Sequence, residues 1–196
     1  MSYSELHKLV QSGDCYTEDL THEICDKKLH QCAQDITGKR VTHITVEMDK
    51  KVWRGIYCSA SETVQDLFGI NNDVIITAEG LRKPWERFIF TKELMHIFEK
   101  DGVDSSQKLR SVFNQITNPT NPFSEDMVKE TEAFYLALGV LCNERDRRLF
   151  HSEYKKQSLD YKDIGERVNL PEERMFHYFS ERYLDVTVKH GAEIEM

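Results

Sequence analysis

The stretch RFIFTKELMHIFEKDG, residues 87–102, decides how the rest of the chain is read. At its centre stands Lys92-Glu93-Leu94-Met95-His96, one substitution away from His-Glu-x-x-His, the helical zinc site of metallopeptidases. Residues four apart share a helix face, so two imidazoles at that spacing converge on one ion. The Glu after the first His is turned about 100° around the axis. It faces the metal-bound water and serves as general base. In this chain a lysine stands in the first ligand's place. An ammonium has no lone pair and repels a cation, and catalytic zinc normally takes three protein ligands. On these five residues alone, the simpler expectation is an amphipathic helix. It would turn Phe88, Thr91, Met95 and Phe98 toward a core and Lys92, Glu93 and Lys100 toward water.

Working outward, the quoted stretch is preceded by a change of period. VTHITVEM (41–48) alternates, with Thr42, Ile44, Val46 and Met48 on one side and Val41, His43, Thr45 and Glu47 on the other. KVWRGIYC (51–58) is a second β-like run, and Asp49-Lys50 between them predicts a hairpin, though without the favoured glycine. Ser59 or Ser61 would cap a short helix ending near Gly69. DVIITAEG (73–80) is a third strand. Upstream, residues 4–11 read as a short helix. A longer one is expected from Thr17 to Ile36, on the stripe Leu20, Ile24, Cys25, Leu29, Cys32 and Ile36.

Downstream the pattern is helical. One helix is expected over Arg87–Lys100 and another over Ser105–Ile116, the latter broken by NPTNPF (118–123). A long helix opened by Ser124 runs to about Cys142, and shorter ones cover roughly 161–167 and 171–182. The tail DVTVKHGAEIEM would fray or add a strand. The expected architecture is α+β, with a short antiparallel or mixed sheet and a helical C-terminal half. It divides into N-terminal helices (1–40), a central domain (41–143) and a C-terminal helical, helix–turn–helix-like extension (144–196).

Composition narrows the function classes. The 196 residues are 39% hydrophobic and 31% charged, ordinary for a soluble globular protein. No apolar run suggests a membrane span, and MSYSELHKLVQSGD has no signal-peptide pattern, so the expectation is a cytoplasmic protein. Five cysteines without a secretory signal imply reduced thiols. The net charge of −8 argues against broad non-specific binding to nucleic acid.

Taken together, the strand, RFIFTKELMHIF and the later ETEAFYLALGVLCN resemble the ImmA/IrrE family of zincin-like proteins. That family follows a strand with R-F-T-x-A-H-E-x-G-H and later carries E-x-x-A-N-x-F-A-x-x-L-L-M-P. Arg87, Phe88, Glu93 and His96 match the first segment, and Glu130, Ala133, Ala137 and Leu141 the second. Phe134, Leu136 and Asn143 depart from the usual Asn, Phe and Pro. SLDYKDIGERVNLPEERMFHYF resembles the family's tail, with Ile164-Gly165, Val168, Leu170, Pro171 and Met175 at its marked places, mostly as substitutes. The resemblance covers about residues 41–183.

It implies a zincin-like fold with Glu93 as a vestigial general base and with His96 and Glu130 at metal-ligand positions. Lys92 replaces the first ligand, and Met95 stands where a small residue is usual. It also implies a context: the family acts beside helix–turn–helix repressors in phage or mobile elements. The expectation is therefore a catalytically impaired regulatory protein without a cofactor. It would bind a partner protein, a transcriptional repressor being the candidate, through a cleft at Lys92, Met95, His96 and Glu130. Lys92 would either pair with Glu130 near His96 or extend to solvent.

One rival is an active zinc endopeptidase whose coordination is completed by His43, Asp101 or Asp104. A second is a DNA-binding regulator using the C-terminal helices, which their mixed charges disfavour. His22, Asp26 and His30, beside Cys25, have metal-compatible spacing on a helix, but Cys25 belongs to the apolar stripe. The basic run Arg145, Arg147, Arg148, Lys155 and Lys156 reads as a solvated face.

Overall fold

The computed structural model describes residues 2–15, 24–47, 49–50, 54–99 and 125–192. Helix α1 (Tyr3–Ser12) opens with the Ser2 amide donating to Glu5 (2.8 Å) and closes on Gly13 at φ 94°. Helix α2 spans Asp26–Thr37. Strands β1 (Val41–Val46) and β2 (Gly55–Cys58) follow. Helix α3 (Glu62–Phe68) is capped by Ser61, whose hydroxyl accepts from the Val64 amide, and it stops at Gly69. Strand β3 is Asp73–Ala78, and α4 is Lys83–Met95 with Pro84 in its first turn. A single 3-10 turn over His96–Phe98 ends α4. Helices α5 (Glu125–Leu141), α6 (Glu144–Lys155), α7 (Tyr161–Val168), α8 (Glu172–Tyr178) and α9 (Glu181–Lys189) make the helical second half. The architecture is α+β with a three-stranded mixed sheet.

The expected hairpin does not form. The strand order is β1-β3-β2, with β1 parallel and β2 antiparallel to β3. β3 buries Val74, Ile75, Ile76, Thr77 and Ala78, so both its faces need cover, which helices provide. β1 alternates toward solvent and suits an edge. One face of the sheet, with Ile75, Tyr57 and Val41, packs under α4 in the main core. The other, with Ile76, Val74, Ile56 and Cys58, packs on Val64 of α3.

Three further expectations change. The long N-terminal helix starts at Asp26, because Cys25 is extended and its amide pairs with the Cys15 carbonyl at 2.7 Å. Residues 17–23 of that expectation lie outside the described residues, as do the helix over 105–116 and the break at 118–123. The last expected helix divides at Phe179-Ser180, where the Ser180 hydroxyl accepts from Tyr183 and starts α9. The tail is therefore helical to Lys189 rather than a strand. The main core runs through α1, α2, α4, α5 and the C-terminal helices without interruption. Among the described residues no helix is long and apolar enough to cross a membrane.

Candidate functional site

Helix α4 rests closely on β2 because Gly55 has no side chain. A Cβ there would lie 2.3 Å from Ile89 Cγ2 and 3.1 Å from Glu93 Cγ. Glu93 packs at this contact, and its side chain is only 2% exposed. Lys92, one residue earlier, turns inward as well, with 16% of its side chain exposed. Neither residue extends into water, which corrects the simple amphipathic reading of the helix.

Four side chains form a closed ring. Lys92 Nζ donates to Glu93 Oε1 at 2.7 Å and contacts Glu130 Oε2 from α5. His96 Nε2 lies 3.3 Å from Glu130 Oε1 and 3.8 Å from Glu93 Oε2. Each carboxylate thus divides its two oxygens between the ammonium and the imidazole. The other imidazole nitrogen, Nδ1, meets Glu99. Burial by itself would push Lys92 down. The Glu93 and Glu130 charges outweigh it and hold the ammonium above the ordinary lysine value of 10.5.

The sequence placed Lys92, Glu93, His96 and Glu130 at this point, and the fold brings all four together. Glu99 and Gly55 were not singled out. Glu99 had a legible signal, three residues after His96 on the same helical path. Gly55 had none, since only the packing of α4 on β2 shows its use.

These groups do not fit zinc. The two carboxylates that would face a cation already face the Lys92 ammonium, and the imidazole is bounded by carboxylates at both nitrogens. His43, a candidate completing ligand, is bonded to Thr77 Oγ1 at 2.7 Å. With Asp26, His30 and Glu86 it lines a different cavity, of about 290 Å3. Asp101 and Asp104 lie outside the described residues, as does His22. Asp26 instead receives Arg87 Nε at 3.0 Å, and His30 stands edge-on to Phe90. Cys25 precedes the first turn of α2.

A cleft of about 420 Å3 opens beside the ring, between the end of α4 and α5. Tyr3, Met95, Phe98 and Leu136 give it an apolar lining, and Lys129 and Glu132 a polar one. Of the expected cleft residues, Met95 lines it, while Lys92, His96 and Glu130 are engaged in the ring.

In the C-terminal helices, Arg174 of α8 inserts its guanidinium among Trp85, Phe88 and Phe134, with Cζ 4.9, 5.8 and 5.4 Å from the ring centroids. Arg147 is buried, held by both oxygens of Glu144 at 2.6 Å. The run from Arg145 is therefore not a uniformly solvated face. Cys142 is buried, and burial pushes its thiol up to about 12.

No family model and no curated protein matches the chain. Among solved structures, a Mycobacterium tuberculosis transcriptional regulator is similar over 93% of this chain and 54% of that one, with a TM-score of 0.47 and 15% identity. The chain thus spans about half the length of that protein, and a likeness at this level assigns neither fold nor function.

Proposed function

We propose that this protein is a catalytically silent relative of the zincin-like ImmA/IrrE proteins, acting as a regulatory protein that binds a protein partner. The observation that carries this reading is the Lys92 ammonium, paired with Glu93 and Glu130. It supplies, as part of the chain, the positive charge that a bound ion would supply in an active relative. Without a lone-pair donor at residue 92, Glu93 has no metal-bound water to activate, and it serves as a structural carboxylate. The open surface is then the neighbouring cleft, whose apolar lining at Met95, Phe98 and Leu136 suits an apolar side chain of a partner. A helix–turn–helix repressor is the candidate partner, on the strength of the sequence resemblance. DNA is the weaker candidate, because α8 turns Glu172, Glu173 and Phe176 to solvent and withdraws Arg174 among aromatic rings.

Elemental analysis of the purified protein tests the first half of the proposal. The wild type is expected to carry no tight zinc, and Lys92→His to gain zinc with His96 and Glu130. One tight equivalent in the wild type would overturn it. For the second half, the protein is mixed with a candidate repressor and followed by gel filtration and by mass. A complex of two intact chains, weakened by Phe98→Ala and unaffected by Glu93→Gln, is the expected result. Cleavage of the repressor that Glu93→Gln abolishes would restore the peptidase reading.

A further inference from the structure

Cys15 and Cys32 come together in the N-terminal layer. Cys15 lies just beyond the end of α1, is fully buried, and directs its thiol to the Cys32 sulfur at 3.8 Å. Cys32 sits within α2 and is half-buried, so it is the more accessible of the two. The backbone holds this meeting in place. The Cys15 carbonyl accepts the Cys25 amide at 2.7 Å, fixing the end of α1 against the start of α2. A disulfide needs its sulfurs about 2.05 Å apart. From 3.8 Å, about 1.8 Å remains to be closed.

We infer that Cys15 and Cys32 form a reversible dithiol–disulfide pair, oxidised by small-molecule disulfides of the glutathione class. In the first step the Cys32 thiolate attacks the reagent disulfide. A mixed disulfide forms on Cys32, and one glutathione leaves as thiolate. In the second, Cys15 gives its proton to solvent and attacks the Cys32 sulfur. The Cys15–Cys32 bond forms, and the second glutathione leaves. The two protein thiols lose two electrons, and the reagent disulfide gains them. Burial first, and then the neighbouring Cys32 sulfur, push the Cys15 thiol up to about 12. The second step needs the Cys15 thiolate, so its rate rises with pH.

The consequence reaches the charged ring. Helix α2 holds α4 through Asp26 and Arg87 at 3.0 Å, and Arg87 also donates to the Ile24 carbonyl at 2.9 Å. A covalent tie between α1 and α2 braces the layer that seats the helix bearing Lys92 and His96. The reduced thiols expected from the sequence are then one of two states of this pair.

The test uses the full chain, purified under reducing conditions and exposed to oxidised glutathione. Free thiols should fall from five to three. The intact mass should drop by two hydrogens with no glutathione retained, and digestion should yield one linked peptide containing Cys15 and Cys32. The Tm should rise by roughly 6–12 °C, from closing a loop of this length, and should return on reduction. Cys25→Ser and Cys58→Ser should keep the linked peptide, and Cys32→Ser should lose it. Glutathione that stays on Cys32, five thiols that remain free, or a linked peptide joining other cysteines would each overturn the inference.

Discussion

Lys92 is the residue on which the site turns. Its removal would leave Glu93, 2% exposed, without the ammonium it faces. Lys92→Met is therefore expected to cost about 3 kcal/mol. Adding Glu93→Gln should recover a large part of that, and urea midpoints of the two variants measure the difference. Because the folded value of Lys92 lies above 10.5, its contribution is complete at neutral pH. It is lost only as pH rises through the folded value, so neutral-range pH scans should not reveal it. Gly55 acts on the same carboxylate from the sheet side. Gly55→Ala is expected to destabilise by about 2 kcal/mol, since its Cβ meets Ile89 at 2.3 Å. Much of this site was legible beforehand, because helical spacing alone sets Lys92 beside His96. What spacing cannot express is depth: Glu93 is buried against a glycine 37 residues upstream of Lys92 that reads only as part of a strand.

Among the elements, α9 is held to α5 by charge. Glu132 receives Lys189 and His190, the latter at 3.1 Å. Burial by itself would raise the Glu132 carboxyl, but these two partners outweigh it and bring it below the ordinary value of 4.5. Its contribution is present above that value and lost as pH falls through the lower folded one. The C-terminal helix is thus expected to loosen on acidification below the ordinary carboxylate range, and Glu132→Gln should flatten that dependence. Amide exchange at Val186–Lys189 reads both. Helix boundaries followed the sequence where a cap was written into it, as at Ser61 and Gly69. They departed where a long-range pairing intervened. Cys25 has helical neighbours in the sequence, yet its amide goes to Cys15. The hairpin expectation failed for the same kind of reason: adjacency in sequence favoured β1 beside β2, while both strands take their pairing from β3, which lies between them.

For the whole molecule, the C-terminal helices are joined to the rest by aromatic and cationic contacts as well as by aliphatic packing. Arg174 enters a box of three rings from α4 and α5, and Arg54 covers Trp85 at 4.0 Å. Arg174→Ala is expected to cost about 2 kcal/mol, with Arg174→Lys recovering part, as read from denaturation followed by tryptophan fluorescence. The arrangement of the sheet also sets an order of events during synthesis. Both flanking strands bond to β3, which is the last of the three to leave the ribosome. Until Ala78 has emerged, Val41–Val46 and Gly55–Cys58 have no ladder to join, and the nascent chain carries two unpaired strands. The nearer partner, β2, should then close first, and β1 should join across the longer loop. Pulsed hydrogen exchange on refolding chains should find the amides shared by β2 and β3 protected before those shared by β1 and β3.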